Sequence, residues 1–335
     1  MFGSAEDQYV TPGGSGRARV VVLGGTGFVG RHVCAALLSE GEGEGKGKGP
    51  DVVAVSRRPG PPPSGPRPLA LDLCRTPPAE LADALTGDRP TLVVNAAGAV
   101  WAATEEHMVA ANTELVRRLV DALRRARRPV RLVHLGSVNE YTPSADGRPV
   151  DEGTPTRPTT AYGRTKLAGT ELVLEAARRG DIDALVLRMA NVAGPGSPPA
   201  SLLGRVAHQL RLACAEGRTA EIRLKPLRAE RDFIDAQDAV GAVLTAARSG
   251  VGGRVLNIGS GEAVPVRSLV DLLIKVSGVA AHVVEEPEQG AGDGPPERLE
   301  VDIRLARELL GWTPRRRLED AVADQWRDLS EASGH

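Results

Sequence analysis

The feature that most constrains this chain lies near its start: Val20-Val21-Val22-Leu23-Gly24-Gly25-Thr26-Gly27-Phe28-Val29-Gly30. Four aliphatic residues read as a buried strand. Gly24, Gly27 and Gly30 then recur at a spacing of three, and Val33, Ala36 and Leu37 follow at helical spacing. Strand, glycine turn and helix in direct succession is the setting in which such glycines hold a dinucleotide. Gly24 permits the tight turn, Gly27 lets backbone N–H groups approach a pyrophosphate, and Gly30 lets helix and strand pack closely. Thr26, Phe28 and Val29 belong to the same turn and helix start, and the helix N-terminus faces the negative charge. The plainer alternative is a glycine-rich turn that binds nothing.

The rest of the chain repeats the strand–helix alternation. Strands are predicted at 51–55, 69–73, 91–94, 131–135, 184–188, 220–224 and 255–258. Helices are predicted at 78–86, 104–128, 161–179, 200–216, 236–249, 266–277, 302–310 and 318–330. Such alternation gives a parallel sheet covered on both faces. The expected fold is therefore α/β, a Rossmann-like doubly wound parallel sheet with a smaller C-terminal substrate-binding lobe. The expected division is a disordered tail at 1–18, a dinucleotide-binding domain at 19–190 to which 232–260 returns, and a substrate lobe at 191–231 and 261–335. Gly41 to Pro50 is low in complexity and reads as a solvated loop, and Pro59 to Pro68 is rich in proline and reads as loop.

Composition narrows the function. A net charge of −1 over 335 residues gives no electrostatic case for nucleic acid. Cys34, Cys74 and Cys214 lack metal-ligand spacing, so no metal is expected, and they read as reduced thiols of a cytoplasmic protein. No apolar run approaches a membrane span, and no membrane partner is expected.

The end of the second strand carries Ser56-Arg57-Arg58. In a dinucleotide fold this point faces the adenosine ribose, where an acid accepts from the 2′-hydroxyl of NAD. A hydroxyl and two guanidinium groups suit a 2′-phosphate instead, which favours NADP over NAD; the alternative is a solvated basic loop edge. Asp72 and Leu73 close the third strand, where Asp72 could meet the adenine. Asn95-Ala96-Ala97-Gly98 ends the fourth strand, and its small residues let the backbone run beside a cofactor. Ser137 stands at the C-terminal end of the fifth strand, where ligands gather in such sheets. Tyr162 and Lys166 lie four apart on one helix face. The ammonium is expected to lower the phenol pKa, so that Tyr162 can exchange a proton with a carbonyl or carbinol oxygen that Ser137 holds. Each of these pairings also occurs by chance; their order behind the glycine turn is what makes a site.

Together the motifs resemble the extended short-chain dehydrogenase/reductases, in the branch of sugar-nucleotide epimerases, dehydratases and reductases. They are Gly24-x-x-Gly27-x-x-Gly30, Asp72-Leu73, Asn95-Ala-Ala-Gly98, Asn112, Ser137, Tyr162-x-x-x-Lys166, Arg188-x-x-Asn191-Val-x-Gly194-Pro, Arg231-Asp-Phe-Ile-Asp235-x-x-Asp238 and Leu310-Gly-Trp-x-Pro314. The resemblance runs from about residue 19 to about 330. It implies Tyr162 as proton donor or acceptor, Lys166 also on the nicotinamide ribose, Ser137 on the substrate oxygen, and Asn112 near the cofactor. It also implies that Asn191 and Arg231 contact the diphosphate of a nucleotide sugar. From the residues alone, Arg231 could instead pair with Asp232 or Asp235, and Asn191 could cap a turn.

The 4,6-dehydratases of the branch carry Asp-Glu directly after the residue matching Ser137, where this chain has Val138-Asn139. The 4-epimerases retain NAD and have an acid where Ser56 stands. The resemblance is therefore greatest to reductases of TDP-4-keto-6-deoxyhexoses, enzymes of secondary-metabolite deoxysugar pathways. The implied reaction is NADPH-dependent reduction of the 4-keto group by a homodimer. Alternatives are an NAD-dependent 4-epimerase, a reductase of non-nucleotide carbonyls, and, from another class, an NADP-sensing regulator without turnover. Glu140, His208 and Lys225 receive no role from the sequence.

Overall fold

A computed structural model describes residues 18–42, 49–57, 65–87, 89, 91–100, 103–143, 147–286 and 297–331. Residues 1–17 of the expected tail, most of the 41–50 insertion and Arg58 lie outside the described residues, whereas Ala18 is buried and its carbonyl accepts from the N–H of Asp51. The strands are β1 (Arg19–Leu23), β2 (Asp51–Ser56), β3 (Arg67–Ala70), β4 (Thr91–Asn95), β5 (Val130–Ser137), β6 (Asp183–Met189), β7 (Asn191–Ala193), β8 (Ala220–Leu224), β9 (Glu230–Asp235), β10 (Arg254–Ile258), β11 (Ala263–Pro265), β12 (Ala281–Glu285) and β13 (Arg298–Leu299). The helices are α1 (Phe28–Glu42), α2 (Pro78–Thr86), α3 (Glu105–Val109), α4 (Leu115–Leu123), α5 (Ala161–Arg178), α6 (Leu202–Ala215), α7 (Ala236–Arg248), α8 (Val266–Ser277), α9 (Arg304–Leu310) and α10 (Leu318–Glu331).

Seven strands form one parallel sheet in the order β10-β6-β5-β4-β1-β2-β3. Its strands read as continuous apolar runs because both faces are covered. In β1, Val20 and Val22 pack with Val33 and Leu37 of α1 and Val243 of α7. Val21 and Leu23 pack on the opposite face with Leu81 of α2, Leu119 of α4 and Val173 of α5. The Rossmann-like, doubly wound expectation therefore holds. A separate core joins α6, β8, α8 and α10 through Leu210, Ile222, Leu273 and Val322. Beside it, β9 pairs with β7, β11 and β13 in a small second sheet, and β8 pairs with β12. Among the described residues no helix is long and apolar enough to cross a membrane, and no cluster of metal-binding side chains occurs.

Several elements differ from expectation. β3 starts at Arg67, two residues before the expected 69, with Pro68 opposite Ala54. It is an edge strand, where the missing N–H of proline costs no ladder bond. Asp72 and Leu73 consequently lie in the following turn, where Asp72 Oδ1 accepts from the N–H of Cys74 at 3.0 Å. α1 runs through Glu42, into the segment read as loop. The helix expected over 104–128 is interrupted by a π-turn at Ala110–Glu114 and ends at Leu123. Arg128 precedes Pro129, which disfavours the helical region for it, and β5 begins at Val130. The expected return of 232–260 divides: β10 joins the main sheet, whereas β9 belongs to the small one.

Candidate active site

A cleft of about 770 Å³ opens at the C-terminal ends of β1, β4, β5 and β6. Gly27, Phe28 and Val29 form one end of it, at the head of α1. First-turn N–H groups of a helix have no intrahelical acceptor, so this end suits a diphosphate. The glycines serve close packing as expected. Gly24 has φ +72°, and a Cβ on Gly30 would lie 2.1 Å from the carbonyl oxygen of Gly24. Ala96, Ala97 and Gly98 line the next section. Asn95 holds that segment: its Oδ1 accepts from the N–H of Ala97 at 3.2 Å, and its Nδ2 donates to His134 Nδ1 at 3.0 Å.

Asn112 sits in the π-turn and also lines the cleft. Its Oδ1 accepts from the N–H of Ala99, and its Nδ2 donates to the carbonyl of Ala99 and to Thr165 Oγ1, at 2.9–3.0 Å. π-turns recur at functional sites, and this one ties the Ala99 wall of the cleft to α5. A Cβ at Gly169 would come within 2.3 Å of the Asn112 carbonyl oxygen, so glycine there is what lets α5 approach.

Ser137, Tyr162 and Lys166 all line the same cleft. Ser137 is the last residue of β5, and Thr160 caps α5, its side chain accepting from the N–H of Gly163 at 3.0 Å. The Ser137 hydroxyl acts on the Tyr162 phenol across the cleft, and Lys166 Nζ donates to the carbonyl of Leu135. The electrostatics correct one expectation. Burial pushes the Tyr162 phenol up to about 12; the Ser137 hydroxyl works against this rise and the Glu140 carboxylate adds to it. Burial also brings the Lys166 ammonium down to about 8, partly opposed by Glu140. Tyr162 thus keeps its proton, contrary to the expected lowering of its pKa by Lys166.

Glu140 has no solvent exposure, and the sequence reading missed its place. Its Oε1 accepts from the N–H of Ser137 at 2.8 Å and from Thr170 Oγ1 at 2.9 Å, and its Oε2 from Arg188 Nε at 2.7 Å. Arg188 continues the network to the Tyr141 hydroxyl, which donates to Asn257 Oδ1. A signal was available: Ser137-x-x-Glu140 is a capping box.

Asn191 lines the cleft while its Nδ2 donates to the carbonyl of Asp232 at 3.0 Å. Arg231 is not among the lining residues; its guanidinium pairs with Glu297 at 2.6 Å rather than with Asp232 or Asp235. Phe233, inside the Arg231–Asp238 motif, and the 197–203 segment, inside the expected substrate lobe, close the far wall. Ser56 and Arg57 end β2 outside the cleft lining, with Arg57 exposed. His208 and Lys225 are exposed and line no part of it.

Residues 20–259 match the family described as NAD dependent epimerase/dehydratase. The chain belongs to this family. A dTDP-6-deoxy-L-talose 4-dehydrogenase (NAD(P)(+)) from Kitasatospora kifunensis is 44% identical, over 94% of this chain and 96% of the relative. A UDP-glucose 4-epimerase from Azospirillum brasilense is 28% identical, over 94% of each. The solved structure of MoeE5 in complex with UDP-glucuronic acid and NAD superimposes with a TM-score of 0.77 at 29% identity, covering 94% of this chain and 99% of that one. As a member of the epimerase/dehydratase family with the Ser137–Tyr162–Lys166 cluster beside the glycine turn, the chain is an NAD(P)-dependent oxidoreductase.

Proposed function

We propose that this protein reduces the 4-keto group of a TDP-linked 4-keto-6-deoxyhexose with NADPH, in deoxysugar biosynthesis. The observation that carries this reading is the composition of the cleft. It brings Ser137 and a protonated Tyr162 together, and none of the described lining residues is a carboxylic acid. A carbonyl there meets one proton donor and one hydrogen-bond donor, without the acid/base pair that elimination of water needs.

Gly24, Thr26, Gly27, Phe28, Val29 and Gly30 would hold the diphosphate, and Ala96, Ala97, Gly98 and Asn112 the middle of the cofactor. Ser56 and Arg57, with Arg58, would meet a 2′-phosphate, and Asp72 and Leu73 the adenine. When bound, the dihydronicotinamide supplies hydride to the carbonyl carbon. Tyr162 gives its phenolic proton to the oxygen that becomes the new hydroxyl. Ser137 donates a hydrogen bond to the same oxygen, where negative charge develops. Lys166 lies one helical turn beyond Tyr162, where its ammonium would steady the phenolate left after transfer and bind the ribose. Asn191 would take the sugar diphosphate; Arg231 would join it by exchanging Glu297 for phosphate.

The 44%-identical relative supports the substrate class, because its name describes oxidation at C4 of a dTDP-linked 6-deoxyhexose. Reduction of a 4-ketone and oxidation of the 4-alcohol cross one transition state in opposite directions. The test is turnover with TDP-4-keto-6-deoxyglucose and NADPH or NADH, followed by loss of reduced-cofactor absorbance, with dTDP-6-deoxy-L-talose and NADP⁺ run in reverse. Faster consumption of NADPH than NADH is expected. No redox turnover in either direction, with NAD released from the denatured protein, would replace this reading with a 4-epimerase.

A further inference from the structure

Ser137 is held more tightly than the end of a strand requires. Its N–H donates to Glu140 Oε1 at 2.8 Å. Its Oγ accepts twice from one residue, from the backbone N–H of Asn139 and from Asn139 Nδ2, each at 3.2 Å. A hydroxyl offers one proton and two lone pairs. With both lone pairs engaged, the Ser137 Oγ–H can only donate, and the Ser137 hydroxyl already works on the Tyr162 phenol against the rise that burial causes.

We propose that Asn139 is a positioning residue whose side-chain amide fixes Ser137 as a hydrogen-bond donor toward the reacting oxygen. The proposal rests on the hydride-transfer reading above. Asn139 lines the cleft and touches both elements that carry the chemistry. Besides its bonds to Ser137 on β5, its carbonyl oxygen lies only 2.1 Å from where a Cβ on Gly163 would stand, so α5 rests directly on it. One residue therefore sets the serine proton and the seat of Tyr162.

An amide does what a carboxylate at the same place would undo. A carboxylate has no proton to give. It would accept from Ser137, turn the Oγ–H away from Tyr162 and the substrate, and leave the carbonyl oxygen one donor short. The ionisable and charged groups facing this spot are Tyr162 and Lys166 on α5, Glu140 in the same turn, Arg188 on β6 behind it and His107 on α3 across the cleft. Glu140 is engaged by Ser137, Thr170 and Arg188 and is not a competing acceptor for the Ser137 proton.

Asn139→Asp tests the idea. Its kcat for ketosugar reduction should fall about 100-fold at neutral pH, the scale of losing one oxyanion donor, with KM within roughly threefold of wild type. Activity should recover as the pH drops and the new carboxyl takes a proton, a limb absent from wild type. Asn139→Ala adds no acceptor, so its smaller loss, about tenfold, should show no such recovery. An Asn139→Asp enzyme with wild-type kcat, or one impaired equally at every pH, would overturn the proposal. Neutron diffraction of the deuterated wild-type protein reads the same question without turnover. The Ser137 deuteron is expected on the Tyr162 side; a deuteron directed at Asn139 would overturn the assignment. If wild type fails to reduce the ketosugar, the proposed function falls while the neutron result still decides the role of Asn139.

Discussion

Tyr162 carries the heaviest demand of any side chain here. With its phenol near 12 it keeps its proton at any neutral pH, yet an alkoxide formed by hydride delivery is far more basic and takes that proton readily. On the proposed reading, burial thus keeps this proton in place for transfer to that alkoxide. Tyr162→Phe should lower kcat by about 10²–10⁴-fold, the usual worth of a general acid, while NADPH binding followed by fluorescence stays unchanged. Full activity in that variant would remove Tyr162 from the reaction. For the proposed reduction, Lys166 should set the upper pH limit. Its ammonium, at about 8, is charged below that value and lost above it. The reduction rate should therefore be level through neutral pH and fall as pH rises through about 8, read from kcat/KM profiles for the ketosugar. A limb displaced to the ordinary lysine range would mean that burial does not govern this group.

At the scale of elements, the site depends on how closely α5 lies against the turn after β5. Gly163→Ala would place a methyl group 2.1 Å from the Asn139 oxygen. The helix must then shift, carrying Tyr162 with it. A misplacement of about 1 Å costs on the order of 100-fold in rate, so kcat should fall by about that much while the circular-dichroism spectrum is preserved. On the proposed reading, the end of β2 governs cofactor choice. Arg57→Ala with Arg58→Ala should raise KM for NADPH at least tenfold, since a hydrogen bond to a charged group is worth about 1.5–3 kcal/mol, and leave NADH nearly untouched. Equal losses for both cofactors would refute a 2′-phosphate contact. The elements bearing on these predictions differ in how openly the sequence declares them. β1, its glycine turn and α1 are contiguous, so local pattern alone locates them. Ser137 and the Tyr162–Lys166 helix also stand where period and spacing put them. β9 does not announce itself, because Arg231, Asp232 and Asp235 interrupt its apolar residues and its partners β7, β11 and β13 are remote in sequence. The π-turn is hidden inside an unbroken helical pattern. Glu140 reads as a polar loop residue until Thr170 and Arg188, from two distant elements, enclose it.

At the scale of the molecule, the two walls of the cleft belong to different parts of the chain, and a small contact joins them. Arg31 Nη2 of α1 donates to the carbonyl of Gly196 at 2.8 Å, and His32 Nε2 bonds the carbonyl of Pro195 at 2.9 Å. A Cβ on Gly196 would meet the Arg31 guanidinium at 2.4 Å, so that glycine, at φ +69°, is what lets the arginine lie flat against the loop. The head of α1 is where the cofactor diphosphate is proposed to bind. The loop leads into Ser197, Pro198 and Ser201, which wall the half of the cleft where the sugar nucleotide is proposed to bind. Binding at the head of α1 should therefore be felt in the loop through Arg31 and His32. By linkage each ligand should strengthen the other by the same factor, typically worth 1–3 kcal/mol. Calorimetric titration of TDP-sugar into the protein, with and without NADP⁺, measures that factor. In the double variant Arg31→Ala, His32→Ala the factor should shrink toward one, while affinity for NADP⁺ alone changes by less than about threefold, because the substituted side chains hold carbonyls of the loop and the N–H groups at the head of α1 remain. If the coupling factor survives both substitutions, the two walls communicate through the sheet, and the contact between α1 and the loop is packing alone.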